Sequence, residues 1–224
     1  MSGIFYGVGV GPGDPELLTM KAVRLIRESD VIAVPGEAVQ ESVAYQIAQR
    51  AVPELAGKQL LAIPMPMTHE KEKREEHHRQ GAQRIEKILA QGKDVAFLTL
   101  GDPAVYSTYF YLQELIKKDG YPTEVVSGVP SFCAAAARAK MPLVMWNEPL
   151  LVVPAAHDLS ETAADGTTVY MKAGRKLGQL KEAAKAEGRE ALFLENCGME
   201  NERICRGAEE IPDEAGYYSL LIVK

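Results

Sequence analysis

The sequence predicts an α/β fold whose first sheet is mostly parallel, on three observations. Apolar runs of strand length alternate with longer periodic or charged segments, the rhythm of strands joined by helices. One run, residues 95–100, reads as a central strand buried on both faces. Two glycine-rich loops, Gly7 to Pro15 and Gly101 to Pro103, each follow a short apolar run, placing them at the carboxyl ends of strands where open α/β sheets bind ligands.

Taken in order, the first strand is expected at residues 4–8. Asp14 is placed to cap the helix that follows, with Pro15 in its first turn and Leu18, Ala22, Leu25 and Ile26 on one face. A second strand spans 31–34 and is closed by Pro35 and Gly36, after which a weaker helix covers 42–52. A short strand at 59–63 ends in the turn-rich segment Pro64 to Met67. Residues 70–91 read as a surface helix with Glu70/Arg74 and Glu75/Arg79 four apart and an apolar stripe of Ala82, Ile85, Ile88 and Leu89. A helix at 108–118 leads to a strand at 123–126, and the alanine-rich run 132–139 forms a helix whose Ala134 to Ala137 permit close packing.

Pro142 and Pro149 break the rhythm over residues 140–149, which makes this segment the expected domain link. The chain then divides into 1–148, an α/β domain carrying the glycine-rich loops, and 149–224, a smaller α/β domain. In the second, strands are expected at 150–153, 168–171, 191–195 and 217–223, with a helix at 176–187.

The loop chemistry excludes the commonest phosphate binders. A phosphate cradle needs several convergent backbone N–H groups, yet Pro12, Pro15 and Pro103 have none, and Asp14 and Asp102 repel an anion. The dinucleotide fingerprint needs glycine at its sixth position, which is Pro12, Asp14 or Glu16 when counted from Gly7, Gly9 or Gly11. No Gly-Lys-Ser or Gly-Lys-Thr follows the glycines either. These loops suit a sugar, a base or a cation.

Composition narrows the field further. The 224 residues are 46% hydrophobic and 7% aromatic, ordinary for a folded soluble protein, and 25 Lys and Arg against 31 Asp and Glu leave a net charge of -6. That balance argues against nucleic acid as a partner. No apolar run approaches the roughly 20 residues of a membrane span. Cys133, Cys197 and Cys205 lack paired spacing and no signal peptide precedes them, so a reducing cytoplasm is expected and a cysteine metal site is not. His69, His77 and His78 are close in sequence, but neighbouring residues of a helix point in different directions, and no metal is expected there. No Ser-His-Asp set or carboxylate pair announces itself, so the catalytic residues stay unassigned.

Three segments carry a family resemblance: Gly7 through Thr19, Thr99 through Pro103 running into Tyr106-Ser107-Thr108, and Ser127 through Phe132. With Val152 to Ala155, they resemble the tetrapyrrole (corrin/porphyrin) methylases, and within that family the chain is most similar to the precorrin-2 carbon-20 methyltransferases of cobalamin biosynthesis. The resemblance implies the two-domain class III methyltransferase fold, with a mixed sheet in the second domain and the active site in the cleft between domains. It implies S-adenosylmethionine as cofactor, leaving as S-adenosylhomocysteine, a tetrapyrrole substrate and a homodimer. Carried onto matching positions, the cofactor contacts are Pro12, Leu100, Gly101, Asp102, Val105, Tyr106, Pro130, Ser131, Met171 and Cys197.

For several of these a second reading stays open. Asp102 is the strongest candidate, as an acceptor for a cofactor hydroxyl or amino group, with a helix cap or turn beside Pro103 as its second reading. Tyr106 can pack on the sheet, and Pro12 can shape a wall without a specific contact. The third loop departs from the family's usual Pro-Gly-Val-Ser-Ser by carrying Pro130 in place of the first serine, and Cys197 stands where relatives often have glycine. The basic residues available for a polycarboxylate are Arg138, Lys172, Arg175 and Arg203; a solvated surface position is the ordinary role of each, so none is assigned. The rival functions are methyl transfer to another tetrapyrrole position and non-catalytic metabolite binding.

Overall fold

In the computed structural model, which describes residues 2–66, 70–155 and 166–224, the chain forms two compact units, Met1–Pro130 and Ser131–Lys224. Met67 and His69 lie outside the described residues. The first unit runs β1 (Phe5–Gly9), α1 (Met20–Glu28), β2 (Val31–Pro35), α2 (Val43–Ala51), β3 (Gln59–Ile63), α3 (Lys71–Leu89), β4 (Val95–Thr99), α4 (Tyr109–Lys118) and β5 (Thr123–Val126). All its strand pairs are parallel, in the order β3-β2-β4-β1-β5.

Alternation along each strand builds two cores. Tyr6, Val8, Ile32, Val34, Ala96 and Leu98 join Ala22, Ile26, Ile47 and Ala48 of α1 and α2 on one face. Phe5, Val31, Ala33, Val95 and Phe97 point the other way, to Ile85, Leu89, Tyr109 and Leu112 of α3 and α4. A sheet covered on both faces needs strands apolar at every position, which is why these stretches read as continuous runs. Each fully buried side chain of this size contributes roughly 1.5–3 kcal/mol of transfer free energy.

Tyr109 shows how tightly the second core is fitted. Its hydroxyl donates to the Glu124 carbonyl at 2.9 Å, burial pushes its phenol pKa up, and its ring fills the space where position 7 has no side chain. A Cβ on Gly7 would sit 2.6 Å from three ring carbons of Tyr109. Gly7→Ala is therefore expected to cost about 1–3 kcal/mol, read as a lower Tm by calorimetry. An unchanged Tm would mean that the ring yields freely.

The segment after β1 differs from its sequence reading. Asp14 caps only a 3₁₀ turn, Pro15–Leu17, with its Oδ1 accepting the Glu16 N–H at 3.0 Å. Leu18 and Thr19 are extended, and Thr19 caps α1 through the Ala22 N–H at 3.1 Å. Leu18 thus lies outside the helix it was expected to share with Leu25. On α3, Lys73 pairs with Glu70 at 2.8 Å and Arg79 with Glu76 at 3.4 Å. His78 stacks on Tyr111 at 4.8 Å, and burial with Arg74 nearby holds its pKa down.

The second unit holds α5 (Ser131–Arg138), β6 (Leu150–Pro154), β7 (Thr167–Met171), α6 (Leu177–Ala186), β8 (Ala191–Glu195), β9 (Arg203–Arg206) and β10 (Ser219–Val223). The sheet order is β6-β7-β10-β8-β9; β6 and β7 are parallel and the other pairs antiparallel, a mixed sheet. Tyr170, Phe193, Leu221 and Val223 pack on Leu177 and Leu180 of α6. The strand at β9 was not foreseen: Arg-Ile-Cys-Arg is short, at the sheet edge and exposed at three of its four residues. The proline-bearing segment 140–149 leads directly into β6.

Candidate functional site

Parallel pairing sets β1 between β4 and β5, so the loops leaving these three strands lie side by side at the carboxyl edge of the first sheet. They are held together by backbone. Gly11 and Gly101 form an isolated antiparallel bridge, with the Gly101 N–H donating to the Gly11 carbonyl at 2.8 Å and the Gly11 N–H to the Gly101 carbonyl at 3.3 Å. Both residues have left-handed φ, 72° and 74°, which glycine adopts without steric cost.

Beside this bridge three backbones touch. A Cβ on Gly128 would lie 2.1 Å from the Gly101 carbonyl oxygen, and one on Gly9 would lie 2.6 Å from the Gly128 nitrogen and 2.7 Å from the same oxygen. Only side-chain-free residues permit that approach. Asp102 then fastens the second loop to the third. Its Oδ1 accepts the Ala104 N–H at 2.7 Å and its Oδ2 the Gly128 N–H at 2.9 Å. The second of these spans 26 residues, so the carboxylate is both turn cap and inter-loop clamp.

Five of the loop amides are already engaged. The N–H groups of Gly11, Gly101, Ala104, Val105 and Gly128 all donate within the protein, and Pro12, Pro103 and Pro130 have none. Loops in which these amides are engaged and the Asp102 carboxylate stands suit a cation or a hydrogen-bond donor rather than a phosphate.

Seven of the sequence-predicted positions fall on these loops. Pro12 and Gly101 are buried; Leu100, Asp102, Val105 and Pro130 are half-buried. Leu100 packs on the core shared with α1 and α2. Tyr106 is 50% exposed and holds φ at 49°, an uncommon conformation for a bulky residue. Behind it Ser107 Oγ accepts the Tyr109 N–H at 3.0 Å and starts α4.

The other three positions lie in the second unit. Ser131 opens α5, Met171 ends β7, and Cys197 is buried just past β8. Strands β7 and β8 both run antiparallel to β10, so Met171 and Glu195 meet the same end of that strand, opposite Leu220 and Ser219. The residues that follow, Lys172 and Asn196, are left-handed at φ 59° and 54°, and their N–H groups donate to Ser219 and Tyr218 carbonyls, each at 2.9 Å.

Sequence reasoning missed the role of Glu195. Its Oε1 accepts the Gly216 N–H at 2.6 Å and its Oε2 the Arg203 guanidinium at 3.0 Å, fixing the approach to β10. Nothing local signals a partner 21 residues away. Among the described residues no group of three or more His, Cys, Asp or Glu is gathered as metal ligands, and no helix is long and apolar enough to cross a membrane.

The family model for tetrapyrrole (corrin/porphyrin) methylases matches residues 5–211. The chain is 34% identical to a probable cobalt-precorrin-2 C(20)-methyltransferase of Methanocaldococcus jannaschii, over 98% of this chain and 95% of that protein. It is also 34% identical to a precorrin-2 C(20)-methyltransferase of Sinorhizobium sp, over 100% and 97%. Among solved structures it is similar to the uroporphyrin-III C-methyltransferase of Thermus thermophilus complexed with S-adenosylhomocysteine, with a TM-score of 0.71 and 25% identity over 99% of this chain and 97% of that one. With its parallel first sheet, its glycine-bridged loops and full-length matches of this kind, the chain belongs to the tetrapyrrole methylases.

Proposed function

We propose that this protein transfers a methyl group from S-adenosylmethionine to carbon 20 of precorrin-2 or cobalt-precorrin-2. The observation that carries the reading is the rim formed by the three loops, where five amides are engaged within the protein, Pro12, Pro103 and Pro130 offer none, and Asp102 stands. Such a rim favours a sulfonium and a ribose or amino donor over a nucleotide's phosphates. The substrate follows from the names of the two relatives that match over nearly the whole chain.

When bound, S-adenosylmethionine supplies an electrophilic methyl on a positively charged sulfur. The chain's own task is placement. Gly9, Gly101 and Gly128 let the three loop backbones touch, Asp102 keeps the second and third loops in register, and Pro12 and Pro130 stiffen the wall. On the second sheet the proposed cofactor positions are Met171 and Cys197. No side chain is assigned as acid or base, because orientation alone can remove roughly 7–11 kcal/mol of barrier. The proposed state is a cytoplasmic homodimer.

Incubation with methyl-labelled S-adenosylmethionine and precorrin-2, with and without cobalt, tests this directly. One label at carbon 20 is expected, and the better of the two acceptors identifies the substrate form. A label on another carbon would point to a sibling methylase, and binding without transfer to a metabolite sensor.

A further inference from the structure

At the end of β7 stands a cation with no carboxylate partner among the described residues. Lys172 leaves β7 in a left-handed conformation that an ordinary side chain keeps only where its surroundings fix it. They do so here. Its N–H donates to the Ser219 carbonyl at 2.9 Å, and its ammonium lies 5.1 Å from the centre of the Tyr217 ring. That ring meets Tyr218 edge to face at 5.3 Å, and both tyrosines are substantially exposed.

Two described carboxylates near this strand end are engaged elsewhere. Glu195, across β10 from Lys172, is taken up by Gly216 and Arg203. Glu202 accepts the Gly198 N–H at 2.6 Å and the Arg138 guanidinium at 3.0 Å. Among the described residues no carboxylate lies within ion-pair distance of Lys172. An aromatic face steadies an ammonium without supplying an oxygen to its N–H donors. Lys172 is thus positioned and still able to donate, next to the candidate cofactor residue Met171.

We propose that Lys172, presented by Tyr217, binds a carboxylate substituent of the macrocycle and selects for a polycarboxylate substrate; this rests on the tetrapyrrole reading above. Lys172→Asn removes the charge, and asparagine tolerates a left-handed backbone, so the fold is preserved. The KM for precorrin-2 should rise about tenfold, the loss of one charge-assisted hydrogen bond, while kcat and the calorimetric affinity for S-adenosylhomocysteine change by less than about twofold. Lys172→Arg should restore the KM, and Tyr217→Leu should raise it part of the way.

An unchanged KM in Lys172→Asn, or an equal loss of S-adenosylhomocysteine affinity, would overturn the assignment. Wild-type protein that methylates no tetrapyrrole would instead overturn the reading on which it rests. Binding of uroporphyrin III, an octacarboxylate, followed by porphyrin fluorescence, then decides the Lys172 assignment separately: weaker binding by Lys172→Asn supports it, and equal binding removes it.

Discussion

Gly128→Ala is expected to reduce kcat/KM by about 100-fold and to lower stability by about 1–3 kcal/mol. The added Cβ would lie 2.1 Å from the Gly101 carbonyl oxygen and 2.9 Å from two backbone atoms of Gly9. All three neighbours are main chain, so no flexible side chain can turn aside. The loops must separate by about 1 Å to restore ordinary contact, and a misplacement of that size can cost roughly 100-fold in rate. Overpacking of a well-fitted region accounts for the stability loss. Gly57→Ala is the control, since nothing lies within 4 Å of a Cβ there and its φ is not left-handed. Steady-state kinetics and thermal melts of the two variants check the claim, and wild-type kinetics in Gly128→Ala would show that the three loops need not touch.

The second large effect belongs to Asp102. In Asp102→Ala the N–H groups of Ala104 and Gly128 lose their acceptors together. An unsatisfied group costs about 1–3 kcal/mol when buried, and water reaches this half-exposed site to recover part of that. The fold is retained, and the affinity for S-adenosylmethionine measured by calorimetry should fall about 10- to 100-fold. Asp102→Asn keeps one acceptor oxygen and should fall between alanine and wild type. Equal affinity in Asp102→Ala would remove this residue from the site.

Most strands were legible as short apolar-rich runs between helical segments: β3, β5 and β8 begin and end where the residues predict. The helix after β1 was drawn as one piece because Asp14 and Pro15 form a good start signal, and Thr19 is a second start signal only a few residues on. β9 escaped notice since an exposed edge strand bracketed by arginines has no apolar signature.

For the site, local chemistry reached the loops but not the links between them. Missing amides follow from prolines that are visible in the sequence, whereas the Asp102 to Gly128 clamp and the Glu195 to Gly216 clamp join residues that only folding brings together. Lys172 illustrates the same limit. Its type suggests a surface charge, and only the register of β7 on β10 sets it over Tyr217, with no carboxylate partner among the described residues.

The central claim, that these loops accept a cationic methyl carrier and refuse phosphates, is tested most directly by competitive calorimetry. S-adenosylmethionine should bind at one site per chain, with an affinity that excess inorganic pyrophosphate or ADP leaves unchanged. Displacement of S-adenosylmethionine by pyrophosphate would contradict it.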